Sequence, residues 1–282
     1  MDTLLEPFRY EFFRNGIAVA TLAGALCGLV GVFVVLRGMS YVGHGLSHAI
    51  FGTAAAFFVL GLSFYAGGAI GGLVAAVLIL LIARRRSIGA DAAIGVITSA
   101  AFAVGIIVVS RHGFTRNIEA ALFGNVLGVT PGDVVAVAVV TLATALAVFL
   151  RYRQLLFTTF DPEVAEVSGV STAANDLLLA IMLTALITVC MNVLGVTLIA
   201  AALVIPPVIG RLLTDSFHKM LWISVITGTV CGFVGVYLSY YLDWPSGPSV
   251  VLTATIVFAI AYGVSAVKRS RLPEAALDAH VD

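Results

Sequence analysis

The sequence predicts an all-α integral membrane protein, a polytopic bundle of about nine transmembrane helices, and three observations carry that reading. The chain is 61% hydrophobic and only 11% charged, with a mean hydropathy of +1.11, which is more apolar surface than a soluble core needs. Its apolar residues gather into stretches of about 20, the length at which a helix crosses a bilayer. The strict alternation of barrel strands is absent. A formal net charge of zero leaves no basic footprint for nucleic acid, so the partner surface is the lipid bilayer.

Spans are expected near 17–36, 43–62, 64–83, 91–110, 133–150, 177–193, 195–213, 220–241 and 248–267. The first runs well beyond a signal-peptide core and has no cleavage site, so it reads as a retained span. Asp91 is placed to cap the fourth. The sixth and seventh form one apolar run, broken only around Asn192 and Gly195; if that run is a single tilted element, the count is eight. Gly24 with Gly28, and Gly67, Gly68, Gly71 and Gly72 as two overlaid pairs, have the small-xxx-small spacing that lets helices approach closely in lipid. Cys27, Cys190 and Cys231 fall inside spans and read as free packed thiols. The whole of 1–282 reads as one transmembrane domain.

Basic residues set the orientation. With the N-terminus outside and the C-terminus inside, Arg37, Arg84, Arg85, Arg86, Arg151, Arg153, Arg211, Lys219, Lys268, Arg269 and Arg271 face the cytoplasm. Only Arg9, Arg14, Arg111 and Arg116 then lie outside. The polar ends flank the bundle: 1–14 as an extracytoplasmic interfacial segment, in which Phe8, Phe12 and Phe13 alternate with charge, and 270–282 as a disordered cytoplasmic tail.

One cytoplasmic segment, within 157–172, reads as a short capped helix. Asp161 is a good N-cap, Pro162 fits the first helical position, Glu163 and Glu166 suit the positive end of the helix dipole, and Gly169 ends the element. Such a helix outside the membrane is either a solvated connector or a docking element for a soluble partner. No nucleotide is bound by the chain itself: a phosphate loop needs Gly-Lys-Ser/Thr, and the lysines, Lys219 and Lys268, follow His218 and Val267.

The most chemically specific feature is Gly43-His44-Gly45-Leu46-Ser47-His48-Ala49. Positions i and i+4 share one helix face, so the two imidazoles can share a borderline metal ion. The competing reading is a pair of hydrogen-bonded histidines at a helix start.

Several separated blocks together resemble the permease subunit of the manganese/zinc/iron type of ABC importers. Arg37 to Ala49 resembles that family's Arg-x-Met-Ser…Gly-Asp-x-x-Ser-His-Ala block, and Asp91-Ala92-Ala93-Ile94-Gly95 the start of its fourth span. Glu119-Ala120-Ala121-Leu122-Phe123-Gly124 is similar to its outer-loop motif, and Phe160-Asp161-Pro162-Glu163 through Gly169 to its coupling helix. Leu198 to Pro207, and Tyr237 to Asp243 with Pro245-Ser246-Gly247-Pro248, resemble its later blocks. The resemblance implies a homodimer in a bacterial cytoplasmic (inner) membrane, two ATPase subunits inside, an extracytoplasmic metal-binding protein outside, and import of a divalent ion, zinc or manganese or iron. ATP then acts only through the partner, and no cofactor is held tightly.

Within that frame His48 and His44 are the expected metal contacts of the pathway, with Glu119 and His112 candidates for the outer entrance. Phe160, Asp161, Pro162, Glu163, Glu166 and Gly169 form the expected coupling helix, and Pro206 and Pro207 the candidate hinge. His44 stands where the family usually has an acidic residue, exchanging a hard oxygen for a borderline nitrogen and favouring zinc over manganese. Two rival classes find less support. A proton-driven secondary transporter wants carboxylates in mid-span, and none falls there. A membrane metalloprotease wants His-Glu-x-x-His, and Gly45 follows His44. A permease for a metal chelate or cofactor keeps the class and changes only the cargo.

Overall fold

The computed structural model describes residues 5–83, 90–112 and 124–270. After a 3₁₀ turn at Glu6–Arg9 come α1 (Glu11–Leu36), α2 (Ser40–Val59), α3 (Phe64–Ala83) and α4 (Ala90–His112). A 3₁₀ turn at Val126–Gly128 then leads into α5 (Pro131–Phe160), α6 (Pro162–Val167), α7 (Thr172–Leu194), α8 (Ile199–Leu213), α9 (Phe217–Leu242) and α10 (Ser246–Ser270). Eight of these helices are long and apolar enough to cross a membrane. The ninth apolar helix, α8, has 15 residues, and at 1.5 Å per residue it spans about 22 Å, short of a ~30 Å hydrocarbon layer.

The long apolar run of the sequence is therefore two elements. Gly195, at φ 80, closes α7 by donating its N–H to the Met191 carbonyl (2.9 Å), a conformation that suits a residue without Cβ. α8 then continues helically through Pro206 and Pro207, where the sequence predicts a break or kink. The two prolines still withhold the amide donors that the carbonyls of Ala202 and Leu203 would take in a regular helix.

Two boundaries move by more than five residues from their predicted places. The first helix begins at Glu11 rather than near residue 17, so Phe12 and Phe13 belong to α1. Phe13 is buried and packs edge-on against Tyr240, 5.3 Å between centroids, in place of lying in a separate interfacial helix. α5 runs on past Leu150 to Phe160, because Leu155 and Thr158 continue its buried face beyond the end of the apolar stretch. The expected tail beyond Ser270 lies outside the described residues.

α1 is the central post. Its largest partner is α9, and the contact is made of small residues. Gly24 and Gly28 of α1 meet Gly228 and Ser224 of α9, and Gly232 meets Ala20. A Cβ on any of these glycines would strike the opposing backbone. Ser224 donates a buried hydrogen bond to the Gly28 carbonyl (2.8 Å), which the close approach makes available. The predicted pairs on α3 serve two neighbours: Gly67 and Gly71 seat against Phe57 and Thr53 of α2, while Gly68 and Gly72 seat against Thr188 and Thr184 of α7 and Ile50 of α2. Around this centre α4, α5 and α10 expose long apolar side chains such as Val104, Leu142, Phe149, Ile256 and Ile260, as a lipid-facing shell requires. Cys27, Cys190 and Cys231 are free and buried.

The end of the bundle away from α6 is tied by a polar knot. Tyr65 of α3 donates to Asp133 of α5, and Asn192 of α7 donates to the Tyr65 hydroxyl (3.1 Å). Asp133 also closes a capping box with Thr130, and the Asn192 carbonyl accepts the Asn125 N–H (2.9 Å). Asn192 thus packs α7 against α3 through a hydrogen bond.

Gly228→Leu is expected to destabilise the detergent-solubilised protein by roughly 1–3 kcal/mol or more, since the obstacle is rigid backbone. Gly263→Ala, where nothing lies within 4 Å, is expected to gain up to about 1 kcal/mol of helix propensity. Thermal unfolding of the two variants checks both signs. Tyr65→Phe leaves Asp133 and Asn192 each short of a partner and is expected to cost about 1–3 kcal/mol in the same measurement.

Candidate functional site

α2 begins at Ser40, only three residues after α1 ends. The corner is rigid: Gly38, at φ 67, donates to the Val35 carbonyl (3.1 Å) and Met39 to the Val34 carbonyl (3.0 Å). This is the Schellman closure, made possible by a glycine in the left-handed region. His44 and His48 follow one and two turns into α2, about 6 and 12 Å from its start.

The two rings are in contact. Their centroids are 4.8 Å apart and the planes are nearly perpendicular, at 79°. Tyr41 flanks His44 at 5.8 Å and Phe102 of α4 closes over His48 at 5.5 Å. Beyond Phe102, Phe51 and Gly52 are buried, so the half-exposed stripe of Tyr41, His44 and His48 ends there. Gly45 lets α4 lie close, against Ile94 and Thr98, and Ser47 donates to the His44 carbonyl (2.8 Å). Among the described residues no third histidine, cysteine or carboxylate joins the pair. One chain thus presents two half-exposed imidazoles and no further donor group beside them among the described residues. That is fewer than the four ligands of a closed structural zinc site.

Of the other predicted site residues, Glu119 lies outside the described residues, and of His112 only the backbone is described, at the last position of α4. At the end away from α6 a cavity of about 590 Å³ opens between Phe12, Phe13, Tyr240 and Trp244, with Asp243 on its wall; neither His44 nor His48 lines it.

The short polar helix forms as the sequence predicts. Asp161 caps α6 by accepting the Val164 N–H (2.9 Å), Pro162 occupies its first position, and Gly169, at φ 80, ends it while Val170 donates to the Ala165 carbonyl (2.9 Å). Ala165 is buried underneath, and Val164, Val167 and Phe160 are exposed, Val167 at 91%. Glu166 accepts from the Thr172 hydroxyl (2.7 Å), so it braces α6 to α7.

One residue carries more of this end than its sequence context shows. Arg37, which enters the sequence argument as a cytoplasmic charge and as the first residue of the Arg-x-Met-Ser resemblance, pairs with Asp176 of α7 (2.7 Å) and donates to Thr158 (3.1 Å) and Thr159 (3.2 Å) of α5. Its signal was an arginine at the junction of two spans; its partners lie more than 120 positions away and have no local pattern.

Comparison with known proteins agrees with this architecture. The chain is 33% identical, over 93% of its length and 89% of the other, to the manganese transport system membrane protein MntC of Halalkalibacterium halodurans. It is 32% identical, with the same coverage, to the chelated iron transport system membrane protein YfeC of Yersinia pestis. A solved structure, PsaBC from Streptococcus pneumoniae in complex with Fab, superposes with a TM-score of 0.84 at 32% identity, covering 92% of this chain and 94% of that one. An inward-facing putative metal-chelate type ABC transporter, 19% identical, shares the fold with a TM-score of 0.67. The model of the ABC 3 transport family matches residues 9–265, and the chain belongs to that family.

Proposed function

We propose that the chain is the membrane-spanning permease subunit of an ATP-driven importer for a divalent first-row transition metal ion. The observation that carries this is the His44–His48 pair: two half-exposed imidazoles in contact on one helix face, with no further ligand from the described part of the same chain. Such a site binds a cation and lets it go. The names of the relatives speak of manganese and of iron. Two nitrogen ligands bind zinc and iron(II) better than manganese, so His44 biases the pathway toward the borderline ions.

The remaining parts follow the same reading. A second copy of the chain supplies the opposite wall of the pathway, and an extracytoplasmic binding protein delivers the ion to the face bearing the Trp244 cavity. Hydrolysis belongs to two copies of a separate ATPase, which engage α6 from the cytoplasm through exposed Val164, Val167 and Phe160, a set of apolar side chains on a helix outside the bilayer. The membrane is the bacterial cytoplasmic one, with the N-terminus out and the C-terminus in: short as it is, α8 returns the chain from the Asn192–Tyr65 end to Phe217 beside Phe160, which keeps the number of passages odd.

In vesicles holding the assembled complex, His48→Ala is expected to lose ATP-dependent uptake of zinc and manganese by about tenfold or more, while His44→Asp keeps uptake and moves preference toward manganese. Equal uptake by wild type and His48→Ala would remove the pair from the pathway. Val167→Asp is expected to abolish co-purification of the ATPase without lowering the melting temperature of the permease, because Val167 touches almost nothing in its own chain.

A further inference from the structure

We infer that Arg37 is the positioning residue that relays movement of α6 to the histidine pair. The inference rests on the reading above, in which α6 receives the ATPase and His44 and His48 meet the ion.

The guanidinium reaches both helices that flank α6. Its Nη1 pairs with Asp176 in the first turns of α7 (2.7 Å), and its Nη2 and Nε donate to Thr158 (3.1 Å) and Thr159 (3.2 Å) in the last turn of α5. α5 ends at Phe160 and α6 starts at Pro162, so the threonines are at the foot of α6 on one side and Asp176 on the other. The threonines are prepared as acceptors. Each spends its own hydroxyl proton on a carbonyl of its helix, Gln154 (2.9 Å) for Thr158 and Leu155 (2.6 Å) for Thr159, which leaves the oxygen lone pairs for the arginine. The Arg37 side chain is only 10% exposed, so these bonds are little weakened by water. A planar fork with five donors can hold three acceptors on two helices at once; an ammonium group cannot match that geometry.

What lies on the other side of Arg37 makes the contact directional. The closed turn at Gly38 and Met39 joins it to Ser40 with no slack, and His44 lies four residues, about 6 Å of helix, beyond Ser40. A shift of the α5–α6–α7 foot therefore pulls on the corner from which α2 starts. A second strut runs parallel, from Phe33 of α1 through Phe217 of α9 (5.6 Å) to Phe160 (6.1 Å). The foot also holds a group with something to gain by moving: Asn175, next to Asp176 and 1% exposed, has neither side-chain polar atom hydrogen-bonded in this arrangement. Coupling between two sites requires an element with two arrangements, and Asn175 is the group whose bonding a second arrangement of this foot would change.

The test uses the full complex with its ATPase in lipid vesicles: transport is read with zinc and manganese on chains that keep Tyr41, and labelling is read separately, without metal, on the same chains carrying a Tyr41→Cys reporter beside His44. Tyr41 is 53% exposed and the native cysteines are buried, so a water-soluble thiol reagent reads the reporter. Arg37→Lys keeps the charge facing Asp176 and gives up the fork; Arg37→Gln and Asp176→Asn remove the ion pair. The expected result for Arg37→Lys is ATP hydrolysis near wild type with metal moved per ATP reduced about tenfold. The reporter, whose labelling rate responds to a non-hydrolysable ATP analogue in the parent, is expected to lose that response in all three variants. Retained transport per ATP with a retained reporter response overturns the relay. So does a parallel fall of hydrolysis, transport and melting temperature in all three variants, which marks a brace and nothing more. A parent whose reporter ignores nucleotide also overturns it. A parent that moves neither metal but whose reporter responds to nucleotide through Arg37 sinks the cargo reading and leaves the relay standing.

Discussion

Backbone-to-backbone contact between α1 and α9 is the constraint on which the rest of the bundle hangs. In hydrocarbon, apolar side chains gain nothing by leaving lipid for one another, so helices hold together by fit, by dispersion and by the hydrogen bonds that close approach permits. Gly24, Gly28, Gly228 and Gly232 supply the fit, and the Ser224–Gly28 bond is available only because they do. α1 is fixed in the middle of the molecule by this contact, and α1 in turn carries Arg37, the closed turn and the start of α2. The position of the two histidines is thus set by residues that contain almost no side chain.

Much of this was legible in the sequence, for local reasons. The histidine pair was readable because its spacing equals a helical turn, and α6 because its cap, its proline and its terminal glycine all sit within nine residues. The glycine pairs announced close packing without naming the partner. The break between α7 and α8 was visible as a glycine in an unbroken apolar run, though hydropathy could not say whether it parted two helices. Helix ends that leave the apolar stretch were misjudged at Glu11 and Phe160, because hydropathy stops where charge begins and the helix does not.

What the sequence hid was everything held by partners far along the chain. The Arg37 fork and the Tyr65–Asp133–Asn192 knot each join helices from opposite parts of the chain through polar side chains that look like ordinary loop or edge residues. The two clusters tie opposite ends of the bundle, while most of the length between is packed through apolar and small residues. That division suits a transporter: polar clusters fasten the two ends, while between them the helices meet mainly through apolar and small residues, with few side-chain hydrogen bonds such as Ser224–Gly28.

The length of α5 has a consequence for how its partner's push is received. Arg151 through Phe160 add about 15 Å of helix after Leu150. That last part does not stand free: Leu155 and Thr158 are buried, and Thr158 and Thr159 meet Arg37, the residue that follows the end of α1. α6 therefore rests on a footing shared by α1, α5 and α7. A protein that binds its exposed side leans on three helices at once, and none of them can yield without the other two.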